Sequence, residues 1–488
     1  MAKAIKFRAS KLEYVPSNQL TIEGFSTNFH ADLDLNNRWV KMSSKIPWDA
    51  LVSVYNMGLK NKKTGAKGIN PRVVLAAMII KHINGWSDRE TVLQIQENVY
   101  LQFFLGFSKF VTEPIFDAST FVDFRKRLNL EAFEKLNTVI AKVGLRHIEF
   151  NQKGENTEKK SHYGKLLVDA TAFPQDITYP TDLKLLNSAL CKSQDLIDLL
   201  YDKKLHKIKP RTDRKKYRKI FLKVAQARQP KKSAIRNALK QQLTALAKNI
   251  KSIHTLLDSY SSIPSFIKKN DYKYLLVIQT VYWQQKQMYD QQTKTIEYRI
   301  VNIHQPHIRP IVRGKLKAKV EFGSKINLSL VAGYNFLDEF SWEAFNEGQY
   351  LKESVEKYKK RHGFYPEKVL VDKIYSTREN RKWLQSLDIK LQAKPLGRPK
   401  AGDNPVSPGE RNAIEGLFGQ AKGKYRLDRV MARLDITSKS WIACTLLVLN
   451  LIKLVGASTL LTLVYGKKSK NLINFRPLIP QITHTQVA

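Results

Sequence analysis

A chain of 488 residues, 43% of them hydrophobic, is long enough for two or three domains and too apolar to be a disordered polycation. Its formal net charge of +40 is self-repulsive unless a polyanion compensates it, which puts nucleic acid ahead of an anionic membrane surface or an RNA-coating structural role. The two cysteines, Cys191 and Cys444, exclude a disulfide framework and a thiolate metal site, and fit a reducing cytoplasm.

The opening MAKAIKFRAS lacks the apolar core of a signal peptide, so a cytoplasmic, nucleoid-associated protein is expected. Residues 1–160 read as helical. Pro71 stands at a first helical position, and Ser87 with Glu90 forms a capping box. A helix near 119–128 ends in Arg125, Lys126 and Arg127. Such short, basic-ended helices suit an all-α N-terminal domain for DNA-end binding and dimerisation, with Arg125 and Lys126 as candidate contacts. A helical bundle with ordinary surface charge fits the same composition. The polar stretch 151–162 reads as a linker.

Lys165 to Phe173 predicts a buried strand, with Asp169 ending its apolar run. Residues 182–270 then form a basic helical insertion. Between Tyr201 and Ile250 it carries 17 Lys or Arg against two acids, with Ile235, Leu239, Leu243 and Leu246 at helical spacing. Lys215, Lys216, Arg218 and Lys219 are its candidate phosphate contacts; a solvated charged face is the alternative.

From Tyr274 the pattern predicts strands in LLVIQTVYW, IEYRIVNI and KAKVEFGSKINLSLVAGYNF. A helix over 346–361 follows, then the strand KVLVD ending in Asp372, then a helix 376–387 opened by Ser376 and Glu379, and a strand near 388–394. The apolar stretch Trp441–Tyr465, interrupted by Asn450 and Lys453, reads as a buried helix and not a membrane span. The expected fold is α/β, a mixed sheet with flanking helices begun at 161–181, interrupted by the insertion, completed over 271–465 and followed by a tail at 466–488. His304 and His307, with no cysteine or further histidine nearby, read as incidental and not as a zinc site.

Asp169 and Asp372 are candidate ligands for hard cations, because a carboxylate at the end of an apolar run is costly to bury without a partner. The third acid comes from SPGERNAIEGLFGQAKGKYR. Ser407, Pro408 and Glu410 make a helix start, which gives Glu410 a structural role. Glu415 lies one turn beyond Arg411, with Lys422 two turns further on the same face and Gly416, Gly419 and Gly423 keeping the neighbouring surface low. A surface helix with ordinary charge pairing is the alternative, which three glycines oppose on propensity. Glu321 either supports the site from a neighbouring strand or pairs with Lys319 or Lys325.

These segments resemble the bacterial insertion-sequence DDE transposases of groups four and five. LLVDAT resembles the family's first aspartate segment, VLVDKIYS with Tyr375 its second, and Arg411–Glu415–Lys422 its glutamate signature; Pro408 stands where the family usually has tyrosine. The resemblance spans about 70–429 and implies a ribonuclease-H-like core in which Asp169, Asp372 and Glu415 hold two Mg²⁺ ions, with Mn²⁺ as a substitute. It further implies hydrolysis at transposon ends, attack of the freed 3′-hydroxyl on target DNA, and Arg411 and Lys422 on the DNA backbone. The implied partners are double-stranded DNA (terminal inverted repeats and target) and a second copy of the chain, with no membrane. A metal-dependent nuclease or resolvase on the same core is the alternative.

Overall fold

The computed structural model describes residues 33–58, 68–150, 162–262, 264–312, 320–393 and 408–465. Among the described residues before the first strand every regular element is a helix: α1 (Arg38–Lys45), α2 (Trp48–Met57), α3 (Pro71–Asn84), α4 (Asp88–Glu97), α5 (Val99–Leu105), α6 (Thr120–Arg127) and α7 (Leu130–Phe150). Asn70 caps α3 ahead of Pro71, and the Ser87 hydroxyl caps α4 by accepting from Glu90 N at 3.1 Å.

Six strands make one mixed sheet: β1 (Lys165–Pro174), β2 (Arg309–Val312), β3 (Val320–Val331), β4 (Tyr334–Ser341), β5 (Lys368–Val371) and β6 (Lys390–Gln392). Their order is β2-β3-β1-β5-β6, with β4 also paired to β3. β3 runs antiparallel to β1, β2 and β4, whereas β5 runs parallel to β1 and to β6. β1 continues to Pro174, so Asp169 lies inside a strand and not at its end. Gly323 permits that length: a Cβ there would stand 2.1 Å from the Phe173 carbonyl oxygen of the paired strand.

The flanking helices are α12 (Leu351–His362), α13 (Arg378–Ser386), α14 (Pro408–Gly423) and α15 (Asp435–Tyr465). The cap of α13 is Thr377, whose hydroxyl accepts from Asn380 N, and not the expected Ser376, which is fully buried one residue earlier. The segment Asp435–Gly456 of α15 is long and apolar enough to cross a bilayer, but 67% of its apolar window is buried inside the protein. Asn450, which interrupts that run, is a buried tie. Its amide accepts from Asn335 N at 2.8 Å and donates to Asn335 O at 2.8 Å and to Asn137 Oδ1 of α7 at 3.2 Å.

The insertion consists of α8 (Asp182–Leu200), α9 (Arg214–Ala225), α10 (Lys232–Asp258) and α11 (Lys269–Asp290). Here the strand prediction fails. LLVIQTVYW lies within α11, and IEYRIVNI forms no strand. Leu275, Ile278 and Val281 recur at helical spacing and bury against Leu186, Leu190, Leu246 and Ile253, while Ile300 and Ile303 close the same cluster. Packing against two neighbouring helices overrides the β-propensity of these residues. The insertion's apolar cluster therefore extends well past residue 270.

Among the described residues the amino-terminal helices share most of their core with the sheet and α15, beside a small cluster of their own made of Leu33, Val40 and Phe103. Trp48, Ile80, Phe104, Phe124 and Leu136 belong to one buried cluster with Val168 and Ile326 of the sheet and Leu447 and Leu451 of α15. Residues 1–150 expressed alone should therefore lack a cooperative thermal transition and bind an apolar dye, because the removed α15 covers α3, α6 and α7. A sharp melt of that fragment would show that this region stands by itself.

Candidate active site

Strand register brings the two aspartates together. The parallel pairing of β1 with β5 ends at Val168 opposite Val371, so Asp169 and Asp372 are the next residues of adjacent strands. Leu167 and Leu370, two residues earlier on each strand, pack together against Ile414 of α14, so the acids emerge on the sheet face that α14 covers. Asp169 Oδ1 accepts from Ala170 N at 2.8 Å. Asp372 leaves its strand and caps a short 3₁₀ turn over Lys373–Tyr375, its Oδ1 accepting from Lys373 N at 2.8 Å.

Helix α14 supplies the rest. Arg411 Nη1 donates to Asp372 Oδ1 at 3.2 Å, and Arg411 Nη2 lies 3.6 Å from Asp169 Oδ2 and 3.8 Å from Glu415 Oε1. One guanidinium thus touches all three acids singled out in the sequence, which come from three separate elements. Their exposures differ: the side chain of Asp169 is 17% exposed, that of Asp372 49% and that of Glu415 60%. Burial pushes the Asp169 carboxyl up to about 6; the Ala170 N–H and Arg411 oppose this, while Glu347 and Asp372 add to it. Gly416, Gly419 and Gly423 border open space along the helix.

Beneath the acids lies a polar support. Tyr375 is fully buried, its hydroxyl donating to Asn327 Oδ1 at 2.6 Å, and Asn327 donates to the Ser354 hydroxyl at 2.9 Å. Burial raises the Tyr375 phenol well above its ordinary value, so it stays a neutral donor. Glu347 carries no local signature that would have singled it out, yet it acts electrostatically on both Asp169 and Tyr375 and pairs with Lys325 at 2.8 Å. Glu321 faces Lys422 at 3.8 Å and not Lys325; Lys319 lies outside the described residues. Glu410 pairs with Lys165 of β1 at 2.8 Å, a tie between helix and sheet apart from the triad; Ser407, its expected capping partner, also lies outside the described residues.

The other basic candidates separate by burial. Arg125 is 5% exposed, donates to both Asp88 carboxylate oxygens at 3.0 and 2.6 Å and lies 5.8 Å from the Trp441 ring. As a buried, paired cation it is a core residue and not a surface contact. Lys126 is exposed, beside Asp123. Lys215, Lys216, Arg218 and Lys219 are all exposed on α9. Lys215, Arg218, Lys219 and Lys223 share one face around a shallow depression, whereas Lys216 lies over the Tyr217 ring at 5.7 Å. His304 Nδ1 bonds the Tyr274 hydroxyl at 2.7 Å, and His307 stacks edge-on with Trp342.

Among the described residues no three His, Cys, Asp or Glu side chains lie close enough to enclose one ion, because the triad is spread around Arg411. The donor set still suits hard divalent cations: three carboxylates converge on one cationic group, and the most buried of them gains most from positive charge beside it.

Residues 369–452 match the family model described as Transposase DDE domain, and residues 27–127 match the Transposase domain (DUF772). The first match includes Asp372, α14 and Glu415; Asp169 lies outside both. Over 166 residues the chain is 30% identical to "Uncharacterized protein ORF8 in nfe locus" of Rhizobium meliloti, covering 34% of this chain and 75% of that protein. No solved structure matches. With two transposase domain matches, one of them running from β5 through β6 and α14, and a carboxylate triad assembled where strand register and α14 meet, the chain belongs to the insertion-sequence DDE transposases.

Proposed function

We propose that this transposase binds the inverted-repeat ends of its element, hydrolyses the DNA there and joins the freed 3′ ends to target DNA on a ribonuclease-H-like core. The observation that carries the reading is the single guanidinium of Arg411 in contact with Asp169, Asp372 and Glu415. The family implies divalent metal use. Asp169, Asp372 and Glu415 would hold two Mg²⁺ or Mn²⁺ ions, which supply an activated water and charge stabilisation at attacking and leaving oxygens.

The chain's own residues position and neutralise. β1 holds Asp169 within a strand, Asp372 follows directly on the end of β5, and Tyr375 anchors the turn after Asp372 through Asn327. Arg411 and Lys422 take backbone phosphates beside the scissile bond, where the glycine-lined face of α14 admits a close duplex. No side chain is required as a covalent nucleophile, since water and then the 3′-hydroxyl attack the phosphodiester. Holding two ends together calls for a homodimer. The place of action is the cytoplasm, on nucleoid DNA.

The test is a plasmid carrying the element's two ends, incubated with the full chain and Mg²⁺. Joined strand-transfer products are expected, and chelation removes them. Ends that are cut but never joined would replace this reading with a nuclease or resolvase.

A further inference from the structure

Arg125 and Arg411 are paired in different ways. Arg125 makes a short bidentate fork onto one carboxylate, the arrangement of a permanent structural pair. Arg411 divides its fork among three carboxylates at 3.2, 3.6 and 3.8 Å, and only the shortest of these is a hydrogen bond. Its Nε, like that of Arg125, is buried with no hydrogen-bond partner, so only the two terminal nitrogens hold the guanidinium. The Arg411 side chain is 17% exposed and stands between a mostly buried acid and two open ones. It is held by summed charge, not by one committed geometry.

We infer that Arg411 is the resident counter-ion of the triad in the metal-free protein, a cation that divalent metal must displace and that displacement frees for a DNA phosphate. The inference rests on the reading of Asp169, Asp372 and Glu415 as the metal-binding set. Three carboxylates cannot stay charged together in a partly buried site without a positive partner. Arg411 fills that role before metal arrives and becomes surplus once it does. Two added cations and a guanidinium beside the same acids repel, so the side chain moves outward along α14. Its fork is then free to bind phosphate bidentately. By linkage, metal and DNA each strengthen binding of the other through this one side chain.

The test measures Mn²⁺ binding to the full chain without DNA, by loss of the free Mn²⁺ resonance. Arg411→Gln and Arg411→Met are each expected to bind Mn²⁺ about tenfold more tightly than the wild type, and if one fails to fold the other still reports. Arg411→Lys, which keeps the charge, should stay within about twofold of wild type. A second arm measures the affinity of a labelled duplex with and without Mn²⁺. The gain that Mn²⁺ gives the wild type should shrink in Arg411→Gln, with general screening of phosphates common to both. Neutral variants that bind Mn²⁺ no better than wild type, or a Lys variant that behaves like Gln, would overturn the inference. The underlying reading fails separately: its failure is Mn²⁺ binding that survives Asp169→Asn combined with Asp372→Asn.

Discussion

Replacing Asp169, Asp372 or Glu415 by Ala is expected to reduce DNA cleavage and joining by at least roughly 10³-fold, because on the proposed reading each holds metal, and losing such a ligand removes several kcal/mol of transition-state stabilisation. Duplex binding should change little, since none of the three contributes positive charge. Glu410→Ala, one turn before Glu415, should keep activity within a few-fold, because its carboxylate serves Lys165 and not the triad. A dead Glu410 variant beside an active Glu415 variant would mean that the third ligand is misassigned. Asp169 adds a readout independent of chemistry. Its carboxyl titrates at about 6 in the fold against about 3.9 in an unfolded chain. The unfolded chain therefore loses the proton first as pH rises, and the fold carries the full penalty above pH 6, on the order of 3 kcal/mol. Asp169→Asn should thus raise the metal-free melting temperature at pH 7.5, and the gain should vanish below pH 4. Equal melting temperatures at both pH values would show that the carboxylate carries no burial penalty.

The second large effect concerns α9. Lys215, Arg218, Lys219 and Lys223 present four cations on one helix face. Replacing all four by Gln should weaken binding to every duplex sequence alike and flatten the log-affinity against log-salt slope by up to about 3.6 units. The loss of affinity near 0.1 M salt should be roughly two to three orders of magnitude. Lys216→Gln alone should do less, because Lys216 sits about 100° around the helix from Lys215. Cleavage under saturating DNA should fall far less than binding, as none of these residues belongs to the triad. An unchanged slope would assign this face to solvent or to another protein chain, and the surplus charge would then act elsewhere.

Much of this protein is legible in local sequence, because the signals involved are local. Apolar runs locate β1 and β5, and the spacing Arg411–Glu415–Lys422 puts three charges on one side of α14 whatever surrounds it. The summed charge of the insertion points to a polyanion without knowledge of its fold. Segments whose state depends on distant partners were misread. LLVIQTVYW has the composition of a strand and becomes a helix because α8 and α10 offer it a helical groove. Arg125 looks like a surface cation and is buried, because Asp88 and Trp441 reach it from elsewhere in the chain. Glu347 and its pairing with Lys325 have no signature along the chain at all. The chain alone determined which acids could serve and on which kinds of element they lie. Only the tertiary structure decided that one guanidinium would join them, because the register of β1 on β5 and the seating of α14 on Leu167 are set by packing between residues more than two hundred positions apart.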